Sequence, residues 1–184
     1  MVQKRNNIQY EILLHLLKGE NHLRGIAKSL GQSHTTILRK LNFLAEEKVL
    51  DYRIQGKNKI FFIKNSLQAK SYVFNAENYK MIKLVRKYPK LSVIIEEILM
   101  KTNKELIILF GSYAKFSAQK DSDIDIYVET TDKKVKENLE YIHSKIKVKI
   151  GEFDKKSMLI KEIIKGHIIV RGMERFYEKI KFFE

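Results

Sequence analysis

The segment Leu109-Phe110-Gly111-Ser112-Tyr113-Ala114-Lys115, followed after a short loop by Asp121-Ser122-Asp123-Ile124-Asp125-Ile126-Tyr127-Val128, constrains this chain more than any other. The apolar run Leu106 to Phe110 reads as a buried strand, and Gly111 lets the backbone turn sharply out of it into a helix. Ser112 then stands where free amides and a hydroxyl can cradle a phosphate tail. In the second half, Asp123 and Asp125 alternate with Ile124 and Ile126, so the spacing predicts a strand with both carboxylates on one face and the isoleucines in the core. Two carboxylates side by side repel unless a cation lies between them. Hard oxygen ligands with open positions suit Mg²⁺, or Mn²⁺, better than zinc.

The rest of the C-terminal half alternates between extended and helical periodicity. Strands are expected over Ile124–Glu129, Ile146–Phe153 and His167–Val170, with helices over Lys133–Ser144, Lys156–Ile164 and Met173–Phe182. Such an order makes a mixed-sheet α+β layer. His143 and His167 lack partners at metal-ligand spacing, and Arg175-Phe176-Tyr177 reads as a packing stripe.

The combination Gly111-Ser112-Tyr113-Ala114 with Ser122-Asp123-Ile124-Asp125 resembles the signature of the minimal nucleotidyltransferases of the DNA polymerase β-like superfamily. The resemblance implies that Gly111, Ser112 and Lys115 bind the phosphates of a nucleoside triphosphate and that Asp123 and Asp125 are catalytic metal ligands. It also implies transfer of a nucleoside monophosphate to an acceptor hydroxyl. The chain departs from the pattern twice. Lys115-Phe116 stands where the family usually has Arg-Gly, which loses the bidentate fork and the backbone freedom of glycine. The family places a third carboxylate on a later strand, and here that strand reads Ile146-Lys147-Val148-Lys149-Ile150-Gly151-Glu152-Phe153, with Glu152 as the acidic candidate and Asp154 just beyond it.

The N-terminal region carries different periodicities. Helical faces run from Ile8 to Leu17, from Leu23 to Leu30 ahead of Gly31, and onward from Ser33, a good N-cap. Two β-prone runs, Val49–Ile54 and Lys59–Lys64, flank the turn Gln55-Gly56-Lys57-Asn58 and predict a basic hairpin. This order resembles the winged helix-turn-helix domains of prokaryotic transcription regulators. The resemblance implies that Ser33, His34, Thr35, Thr36 and Arg39 face duplex DNA from the recognition helix, and that Arg53, Lys57, Asn58 and Lys59 reach it from the wing. The expected organisation is a winged helix over 1–64, a helical connector over 65–103 that includes Pro89, and a nucleotidyltransferase over 104–184.

The balance of 36 Lys and Arg against 22 Asp and Glu, a formal charge of +14, gives the surface a field that gathers polyanions. Cysteine is absent, which excludes disulfides and thiolate metal sites. No apolar run approaches the ~20 residues a membrane helix needs, and no leader pattern opens the chain, so a cytoplasmic protein with no membrane partner is expected. Three functions fit these features. One is a nucleotidyltransferase. Another is a transcription regulator whose second domain senses nucleotide. The third is an antitoxin that modifies an acceptor protein. A homodimer on DNA is the analogy drawn from other winged helices.

Overall fold

The computed structural model describes residues 7–184; residues 1–6, the start of the expected 1–64 domain, lie outside the described residues. Its contacts divide the chain into two units, one running to Tyr79 and rejoined by Phe183 and Glu184, the other spanning Lys80–Phe182.

The first unit follows the sequence periodicity closely. Helices α1 (Ile8–Leu16), α2 (Leu23–Leu30) and α3 (His34–Glu46) precede the antiparallel strands β2 (Leu50–Gln55) and β3 (Asn58–Ile63). Ile12, Leu13, Leu16, Ile26, Ile37, Leu41 and Leu44, at helical spacing in their helices, form one core with Leu50 and Phe61. Gly31 ends α2 in the left-handed conformation, and the Ser33 side chain caps α3 by accepting from the Thr36 amide. One element is additional to the expected set. Asn21 and His22 form a two-residue strand, β1, that pairs with β3 through Phe61 and Ile60, so the hairpin becomes a three-stranded sheet in the order β1-β3-β2.

The second unit is an α+β layer, as expected. Its four-stranded sheet has the order β6-β5-β4-β7, from β4 (Ile107–Phe110), β5 (Ile124–Glu129), β6 (Ile146–Gly151) and β7 (Ile168–Arg171). Strands β5 and β6 run parallel while β4 pairs antiparallel with β5 and β7, which makes the sheet mixed. Helices α5 (Lys90–Lys101), α6 (Gly111–Ala114), α7 (Lys133–Glu140), α8 (Met158–Lys165) and α9 (Met173–Ile180) surround it. Ile107, Leu109, Ile124, Ile126, Val128, Ile146 and Val148 turn one sheet face into a core shared with Leu91, Ile95 and Ile98 of α5 and Leu139 of α7. The Arg171 guanidinium closes the end of α5, donating to the carbonyls of Thr102 at 2.6 Å and Leu99 at 2.9 Å.

The segment expected as a connector is divided between these cores. Helix α4 (Leu67–Lys87) gives Ala69 and Ala76 to the first core and Leu84 to the second, and Pro89 caps the start of α5. The reason is in its apolar positions, which are spread along 21 residues rather than clustered for one partner. Among the described residues no helix is long and apolar enough to cross a membrane.

Candidate active site

The site begins with the pairing of β4 and β5. Their register sets Phe110 beside Asp125, so Gly111 leaves the sheet at the level of that carboxylate. Gly111 has φ +69, a left-handed value that a side chain disfavours. A Cβ on it would fall 2.1 Å from Asp125 Oδ2, well inside contact distance. Two independent constraints thus require glycine here, and the second is the carboxylate itself. The backbone of the turn and the acid are in direct contact.

Asp125 lies within β5 between the buried Ile124 and Ile126, while Asp123 immediately precedes the strand and is exposed. Burial raises the Asp125 carboxyl above the ordinary carboxylate range, and the charges of Asp123 and then Glu162 push it the same way; Lys149 and Lys115 oppose them. A desolvated carboxylate beside a second one is a group whose charged form gains from a nearby cation. The donor set therefore fits a hard divalent ion, and Asp123 and Asp125 are the residues that would hold it.

Lys115 follows α6 directly, and its ammonium lies 3.0 Å from Glu162 Oε1 on α8. Glu162 was not among the expected site residues. Its only sequence signal is its place in the exposed stripe of α8, between Ile160 and Ile163, and that stripe becomes informative only once the fold brings α8 over β4. Phe116 adopts φ +58, so the chain keeps a left-handed turn with a phenylalanine. Its ring packs against the core and under the Lys83 ammonium at 5.6 Å.

Glu152 is placed elsewhere. The parallel register sets Lys147, not an acid, beside Asp125, and Lys149 beside Tyr127. Glu152 follows the end of β6, five residues beyond Lys147, which is about 16 Å along an extended chain. There its charge acts on Tyr127, whose hydroxyl donates to the Gly151 carbonyl at 2.9 Å. The expected strand to Phe153 stops at Gly151. Asp154 is used locally, accepting from the Lys156 amide at 2.9 Å. Among the described residues no group of three His, Cys, Asp or Glu side chains is close enough to hold a metal.

In the first unit, His34, Thr35 and Arg39 are exposed on α3, and Lys57 and Asn58 are exposed at the β2–β3 turn. Ser33 and Thr36 are occupied with each other, the Ser33 hydroxyl donating to Thr36 Oγ1 at 2.8 Å. Arg53 is ion-paired with Glu20, and the Lys59 ammonium lies 4.0 Å from the Tyr52 ring centroid.

Residues 94–175, which contain the Gly111 turn, both aspartates and Glu162, match the family model "Polymerase beta, Nucleotidyltransferase". This stretch is a polymerase β-like nucleotidyltransferase domain. The matched stretch begins within α5. No curated protein matches the chain. A solved structure described as "Crystal structure of the toxin-antitoxin with AMP-PNP" is similar, with 24% identity, 58% of this chain and 86% of that chain covered, and a TM-score of 0.33.

Proposed function

We propose that the second unit transfers a nucleoside monophosphate from a nucleoside triphosphate to an acceptor hydroxyl, using Mg²⁺ or Mn²⁺, and that the first unit binds duplex DNA. The observation that supports the first part is the contact between the Gly111 turn and the Asp125 carboxylate, which would bring a phosphate seat and an acid together. Gly111 and Ser112 offer backbone amides to the triphosphate and Lys115 offers a cation. The acceptor oxygen attacks the α-phosphorus, the bond to the β-phosphate oxygen breaks, pyrophosphate leaves, and the acceptor proton passes to solvent. A divalent cation, when bound, neutralises charge on the phosphate oxygens. Asp123 and Asp125 would hold it, and the chain's own work is to position the phosphates against that pair.

Incubation with labelled ATP, GTP, CTP and UTP in Mg²⁺ or Mn²⁺ tests this reading. Transfer is expected from at least one nucleotide, falling about 100-fold or more in Asp123→Asn and Asp125→Asn. Equal transfer by either variant sinks the assignment.

The DNA-binding part rests on the exposed polar set of α3, whose start is fixed by the Ser33 cap, and on the cationic turn at Lys57. His34, Thr35 and Arg39 face base edges and phosphates while Lys57, Asn58 and Lys59 follow the backbone. A second reading, a regulator that senses nucleotide without turnover, is favoured by the lysine that stands in register with Asp125. It predicts operator affinity that changes with nucleotide and no covalent product. A co-purifying protein that carries an added nucleotide would instead make the acceptor a protein and the chain an antitoxin-like modifier.

A further inference from the structure

Lys115 does not project freely from its short helix. Its ammonium meets Glu162 at 3.0 Å, and its Cγ and Cε lie 3.6 and 3.7 Å from where a Cβ on Gly166 would stand. Glu162 lies in the last turn of α8, and Gly166 is the residue that ends it. The lysine therefore lies along the last turn of that helix, toward the negative end of its peptide dipoles. Helix α8 is itself well fixed, by the buried Ile160 and Ile163 and by the Ser157 cap, which accepts from the Ile160 amide at 3.2 Å.

Both partners of this ion pair are about half exposed, 52% and 49%. Such pairs contribute little to folding stability, because water screens them and two long side chains must be ordered. Their effect is on where the cation stands. An unheld lysine spreads its charge over many rotamers, whereas this one is held near the Gly111 turn, whose carbonyl accepts from the Lys115 amide at 3.1 Å.

We propose that Glu162 is a positioning residue for the nucleotide: by holding the Lys115 ammonium along α8, it presents a cation to the triphosphate with most of its rotamer freedom already lost. An ammonium has three donors, so one stays on the Glu162 carboxylate while the others turn to phosphate oxygens. The inference rests on reading the Gly111 turn as the nucleotide seat.

The test is a double-mutant cycle on the full chain with Glu162→Gln, Lys115→Gln and the combination. Two readouts serve: fluorescence titration with methylanthraniloyl-ATP in Mg²⁺, and steady-state transfer with its KM and kcat. Glu162→Gln is expected to weaken nucleotide binding and raise KM about 3- to 10-fold, the scale of freeing one long side chain, with kcat within about twofold. Lys115→Gln is expected to weaken binding more, and adding Glu162→Gln to it changes nothing further. Equal effects of Glu162→Gln with and without Lys115, or tighter binding in Glu162→Gln, overturn the proposal. A wild type that transfers and shows no coupling sinks the positioning role alone. A wild type that binds nucleotide and transfers nothing sinks the transfer reading, and the binding cycle still decides Glu162. A wild type that binds no nucleotide overturns both.

Discussion

Gly111 has the narrowest tolerance in the site, because its φ of +69 and the carboxylate 2.1 Å from a Cβ position act together. Gly111→Ala is expected to cost about 1–3 kcal/mol in denaturant unfolding, through backbone strain, and to displace Asp125, reducing transfer about 100-fold or more. An alanine variant of native activity would mean that the contact has no role. The glycine, both aspartates and their alternation with isoleucine were legible in the sequence because local geometry dictates each of them. Glu162 was not, since its partner Lys115 is 47 residues away and only the assembled sheet brings them together. His15, in the first unit, was also silent in the sequence. Asn21 Oδ1 accepts from the His22 amide at 2.8 Å, so Asn21 Nδ2 is the donor to His15 Nε2 at 3.0 Å and that nitrogen carries no proton; Ser29 lies 3.1 Å from Nδ1. Burial and then the Lys18 charge hold this imidazole below its ordinary range. The unfolded chain therefore binds more protons, and the stability His15 contributes is complete above about pH 6.5 and lost as pH falls through the depressed folded value. Urea titrations of wild type and His15→Gln should converge on the acid side of that window; parallel pH profiles would contradict the assignment.

At the scale of elements, helix and strand periodicity located nearly every segment, and the departures have physical causes. Strand β1 has two residues, too short for any alternation to register, and it exists because the edge of β3 accepts it. Strand β6 stops at Gly151, whose φ is +153, two residues before the expected end at Phe153, and its parallel register puts Lys147 rather than an acid beside Asp125. Ile163, fully buried, anchors α8. Ile163→Ala should destabilise the second unit by about 2–5 kcal/mol and, by loosening α8, weaken nucleotide binding as Glu162→Gln does. Normal nucleotide affinity in a destabilised Ile163→Ala protein would separate α8 from the site.

At the scale of the whole molecule, charge is the property that sequence shows best and structure refines. The +14 total predicts that DNA affinity falls about 100-fold or more between about 50 mM and about 200 mM salt, with the slope reduced by about one for each phosphate contact removed, as in Lys57→Ala. Asp125→Asn should leave that slope unchanged in a filter-binding titration; a changed slope would show that the aspartate site contributes to the duplex contact. The excess of cations is not spread evenly. Strand β6 pairs on one side only, with β5, and exposes Lys147 and Lys149. Along that free edge the Val148 amide already donates to Glu140 Oε1 at 2.9 Å, and alternating ammonium groups set like against like whenever a newcomer strand is an identical chain. The lysines that stand beside the aspartate face are thus expected to disfavour pairing with an identical strand, and Lys147→Gln with Lys149→Gln should raise light scattering if they do.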